Sequence, residues 1–63
     1  MKDKVEQLNK SLKLMILLNG FEIDQYANEH DAIKEAERRY LDHFLRDIKH
    51  HVEQILLSES KIG

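Results

Sequence analysis

The chain has 63 residues, no cysteine, no proline, two glycines, 35% charged residues and a formal net charge of −2. One domain at most fits in that length, near the size where a single core only just offsets the conformational entropy lost on folding. Without cysteine there is neither a disulfide nor a thiolate zinc site to brace it, which leaves association or very regular helix packing. The mild acidity supplies no global field to recruit nucleic acid or an anionic membrane.

Lys, Leu, Glu, Ala, Arg and Gln dominate, and with no proline to interrupt them they predict helix almost everywhere. Val5, Leu8, Leu12 and Met15 recur at helical spacing, and Leu14, Leu17 and Leu18 add a neighbouring stripe. Asp3 is placed to cap this helix, with Glu6 three residues on. Asn19-Gly20 reads as its stop, because glycine accepts the left-handed backbone that ends many helices, with Phe21 folding back on the last turn. The first helix is thus expected over 4–18.

Residues 19–28 are expected to connect. Ile23 and Tyr26 would cover the hairpin end, and Asp24 or Asn28 would cap the second helix, with a short helical turn near 24–27. From 29 to 57 nothing breaks that second helix, and 58–63 is expected to fray. Its stripe runs through Ile33, Ala36, Tyr40, Leu41, Phe44, Leu45, Ile48, Val52, Ile55 and Leu56, with Leu41, Ile48 and Ile55 spaced by sevens. Glu35/Arg39, Asp42/Arg46 and Lys49/Glu53 are four-residue pairs on the opposite face, worth roughly 0.2–0.5 kcal/mol each.

At 1.5 Å per residue the two helices would measure about 22 Å and about 43 Å. The short one cannot cover the long one's stripe. The fold expected is therefore all-α, a helical hairpin with a short first and a long second helix, pairing with a second copy into a homodimeric four-helix arrangement. Leu41, Phe44, Leu45, Ile48, Val52 and Ile55 are the expected dimer or partner interface. The first helix adds Val5, Leu8, Leu12, Met15 and Ile16 to the core. Phe44 is expected to be buried and Tyr40 to sit at the boundary.

Three chemistries could in principle use the polar residues. His43, Asp47 and His50 lie at i, i+4 and i+7 on one helical face, and Asp47 with His51 is another four-residue pair, spacings that could present imidazole and carboxylate to a metal ion; boundary residues of an apolar stripe commonly look the same, so neither metal nor cofactor is expected. Lys34, Arg38, Arg39, Arg46 and Lys49 could contact phosphates, but Asp31, Glu35, Glu37 and Asp42 are interleaved with them. Ser11, Ser58, Ser60 and the histidines fall in no catalytic motif, and a hairpin of this size has little room for a water-excluding pocket, so no catalytic residue and no enzyme is expected. His50 and His51, placed in the last two turns of the second helix, would on protonation complement its dipole.

The longest apolar run, Leu14 to Leu18, has five residues, too few for a secretory core of ~7–15 or a membrane span of ~20. A cytoplasmic location is the expectation, with the chain itself and another protein as partners. A dimerising hairpin is similar in outline to the plasmid RNA-organising protein Rop, though no motif is shared, so a Rop-like RNA or DNA binder is the alternative function and a histidine-mediated metal module the second. The small sporulation phosphatases carry Ser-Gln-x-Leu-Asp on a second helix. Arg38-Arg39-Tyr40-Leu41-Asp42 keeps only Leu-Asp of it, and no family is assigned.

Overall fold

The computed structural model describes the backbone of residues 2–62 and the side chains of 2–59. Two helices form a hairpin: α1, Lys2–Asn28, and α2, Ala32–Ile62. They contain 27 and 31 residues, about 40 Å and about 46 Å of helix. The expected inequality of lengths is therefore wrong, and so are the expected boundaries at 18, 29 and 57. Ser58 to Ile62 continue α2, and Gly63 lies outside the described residues.

The error lies at Asn19-Gly20, which does not end the helix. Gly20 keeps an ordinary negative φ, and the half-buried or buried positions Val5, Asn9, Leu12, Ile16, Asn19, Ile23 and Tyr26 continue the same four-three alternation straight across it. A mid-helix glycine costs about 1 kcal/mol relative to alanine. Burying Ile23 and Tyr26 against α2 offsets that cost, so the two residues expected as a lid belong to the helix face itself. Phe21, expected to fold back, points away and is exposed.

The turn is made by Glu29, His30 and Asp31 instead. His30 has φ 58°, the left-handed conformation usually taken by glycine. Its amide donates to the Ala27 carbonyl at 3.2 Å and the Asp31 amide to the Tyr26 carbonyl at 3.0 Å, the paired bonds of a Schellman stop. Asp31 then caps α2: its Oδ1 accepts from the Lys34 amide at 3.1 Å, and its carbonyl from the Glu35 amide at 2.9 Å. His30→Gly should relieve the left-handed strain and stabilise the hairpin by about 0.5–1 kcal/mol net of glycine's entropy. A thermal melt should move up by roughly 4 °C; an unchanged or lower midpoint would contradict this account of the turn.

The core is thin. Leu12, Leu45 and Val52 are the buried apolar residues, with Val5, Ile16, Leu41, Ile48 and Leu56 packed around them half-buried. The Cα envelope is 50 × 15 × 12 Å, one layer of two helices. Globular domains ordinarily place two layers about a core.

Candidate protein-interaction face

The two helices expose unlike sides. On one, α1 presents Leu8, Met15 and Leu18 and α2 presents Leu41, Phe44, Ile48 and Ile55, rows that follow the same four-three spacing as the seam beside them. Met15, Leu18, Leu41 and Leu45 line a shallow apolar groove between the helices, and Tyr40, Leu41, Phe44 and Glu37 line a second beside it. Phe44 is 54% exposed and Tyr40 75%, so neither is covered within one chain. The expectation that Phe44 is buried fails for the single hairpin.

The six interface residues expected from sequence separate into three settings. Leu45 and Val52 are spent on the intrachain core, Leu41 and Ile48 sit half-buried at its edge, and Phe44 and Ile55 face outward. Of the first-helix residues, Val5, Leu12 and Ile16 are in the core or against it, while Leu8 and Met15 are exposed. Leu18 and Tyr40 join the face without having been placed there by the sequence reading; continuing the four-three spacing of Leu8 and Met15 by one step would have found Leu18.

The opposite side carries charged pairs, with the exposed Leu17 and Phe21 beside Asp42 and Arg46. Arg39 Nε meets Glu35 Oε2 at 2.7 Å, Arg46 Nε meets Asp42 Oδ2 at 2.9 Å, and Lys49 Nζ meets Glu53 Oε1 at 2.9 Å, each a four-residue pair. The hydrogen bond from Lys49 is the main reason the Glu53 carboxyl is held below its ordinary value, with the charges of Lys49, Lys13 and His50 adding to it against a small desolvation. A depressed folded pKa contributes stability above the unfolded value and loses it as pH falls through the folded one. For so exposed a group the effect is small.

Arg38 is different. Its Nε meets Glu22 Oε2 at 3.0 Å and its backbone carbonyl accepts from Asn19 Nδ2 at 2.7 Å. With the Lys34 ammonium 5.6 Å from the centre of the Tyr26 ring, these are the polar side-chain contacts that cross between the helices among the described residues. Asn19 is 5% exposed, its Oδ1 unpartnered, in a core position. The contact pins the register of α1 on α2, and the sequence reading missed it because it took Asn19 as the end of a helix.

Lys34, the remaining basic candidate, lies 4.0 Å from Asp31. All five cations proposed for phosphate contact thus stand opposite a carboxylate, and Arg38 is turned toward α1 rather than toward the side carrying Arg39 and Arg46. His43, Asp47 and His50 are exposed on the outer surface of α2. Among the described residues no group of three or more His, Cys, Asp or Glu side chains is placed to hold a metal ion. His50 and His51, with ring centroids 6.1 Å apart, lie well inside a helix that runs on to Ile62, which removes the helix-end setting expected for them. No helix among the described residues is long and apolar enough to cross a membrane. No protein-family model, curated protein or solved structure matches the chain.

Proposed function

We propose that this chain is a small, non-enzymatic regulatory or adaptor protein that acts by protein–protein contact, as a cytoplasmic homodimer in which two hairpins stack into a four-helix bundle. An antirepressor, an enzyme inhibitor or a phage-type accessory factor would work in this way. The observation that carries the reading is the pair of exposed apolar rows along both helices beside a core of three buried residues. Contiguous apolar surface of this kind marks association in small proteins. A single layer of two helices gains its second layer by pairing.

A second chain is needed for a reason other than unequal helices. α1 spans most of α2, and what it leaves uncovered is a flank formed by both. The nucleic-acid reading has less support, because its cations are already paired.

Light scattering across protein concentration tests the dimer. The expected mass is about twice 7.5 kDa, falling toward the monomer only on dilution. A monomer at every concentration overturns the homodimer and leaves the face for another protein.

A further inference from the structure

A compact 7.5 kDa monomer should expose about 4,200 Å², whereas this hairpin exposes 5174 Å². The excess of roughly 900 Å² is close to the ~800 Å² that each partner contributes to a standard interface. A second copy on the apolar face is therefore of the right size, and the face also encodes how that copy lies.

Two rows form it. On α1 the row is Lys4, Leu8, Ser11, Met15, Leu18 and Glu22, and on α2 it is Glu37, Leu41, Phe44, Ile48, His51 and Ile55, both in four-three spacing. The α1 row is complementary to its own reverse. About the level of Lys13, Lys4 falls opposite Glu22, Leu8 opposite Leu18, and Ser11 opposite Met15, small against large. The α2 row follows more loosely about Phe44: Glu37 falls opposite His51, Phe44 meets its own copy, and Leu41 lies one residue from the level of Ile48. One turn beyond the row, Ile33 falls opposite Ile55.

The register between the helices makes these two centres one. Asn19 bonds to Arg38, and counting six residues back along α1 and six forward along the antiparallel α2 brings Lys13 level with Phe44. A single two-fold axis, lying between the layers and perpendicular to the helices, satisfies both rows at once.

We propose, resting on the homodimer reading above, that two hairpins stack face to face about this axis with their turns at opposite ends, α1 against α1 and α2 against α2 of the second copy. The alternative two-fold, along the helices, would stack α1 on the other copy's α2 with turns at the same end. By the same register that arrangement sets Glu22 between Ile33 and Glu37 and Lys4 between His51 and Ile55, so neither charged end of the α1 row gains an opposite charge from the α2 row.

The absence of cysteine gives a clean background for cross-linking. Disulfides need Cβ atoms about 3.5–4.5 Å apart. Glu37 and His51 stand roughly 21 Å apart along one α2, so they cannot join within a chain. The double variant Glu37→Cys/His51→Cys should oxidise to a covalent dimer on a non-reducing gel, while each single variant stays at monomer mass. Circular dichroism and light scattering of the reduced double variant establish that it is folded and paired. A covalent dimer from Glu37→Cys alone, or none from the folded, paired double variant, overturns the orientation and leaves the homodimer standing. A wild-type protein that is monomeric by mass overturns both.

Discussion

Leu45→Ala is expected to cost about 2–5 kcal/mol and to abolish most of the helical signal at 37 °C. Leu45 is one of three buried apolar residues, and domains of this size seldom hold more than ~3–5 kcal/mol from one core. The substitution also leaves a cavity in the seam, where Leu12 and Val52 are the other buried apolar residues. Leu57 is the control: it is exposed on α2, and Leu57→Ala should change stability by less than about 0.5 kcal/mol. Circular dichroism melts of the pair read the difference. Equal melting points would mean that the hairpin seam contributes little and that the association face alone holds the chain together.

Phe44→Asp is expected to dissociate the homodimer, with an apparent Kd at least ~100-fold weaker, roughly 3 kcal/mol. Phe44 lies at the level of the proposed axis, so a carboxylate there enters the interface twice and meets its own copy. A buried like-charged pair must be desolvated and repelled, or protonated. Because Phe44 is half-exposed in the single hairpin, the helices themselves need not unfold, although losing the partner lowers the melting temperature at a given concentration. Sedimentation at several concentrations, run beside circular dichroism at the lowest, separates dissociation from unfolding. A variant that keeps the wild-type mass would show that Phe44 is outside the contact.

The residues of α2 were legible in the sequence because an uninterrupted apolar stripe has one physical meaning in a chain without proline. Their sorting between core and face was not. Leu41, Leu45, Ile48 and Val52 are all compatible with either, and only the position of α1 separates Leu45 and Val52 from Phe44 and Ile55. The first helix was misread at Gly20 because a local signal, glycine's tolerance of positive φ, was set above a longer one. That longer signal was the spacing through Val5, Leu12, Ile16 and Ile23, and packing four apolar residues along the seam, Leu12 buried and the others half-buried, outweighs one glycine. His30 carried the opposite trap. Histidine is a modest αL former, and nothing around it announces a stop in the way Asn-Gly does. The Schellman bonds and the Asp31 cap make the turn, and they depend on atoms of Tyr26, Ala27 and Lys34 that become neighbours only once the chain has reversed.

That reversal rests on the backbone of two adjacent non-glycine residues, His30 and Asp31. If His30 and Asp31 both relaxed to the right-handed helical region, α1 and α2 would fuse into a rod about 90 Å long, because no proline or glycine between Asn28 and Ala32 forbids it. Each half of such a rod could then recover its seam, including the bond from Asn19 to the Arg38 carbonyl, only from the other half of a neighbouring chain. The same contacts would thereby be exchanged between molecules rather than made within one, an arm swap driven by concentration and favoured by relief of about 1–2 kcal/mol of left-handed strain. The backbone of His30 and of the cap residue Asp31 thus separates a folded clasp from an open rod waiting for its twin.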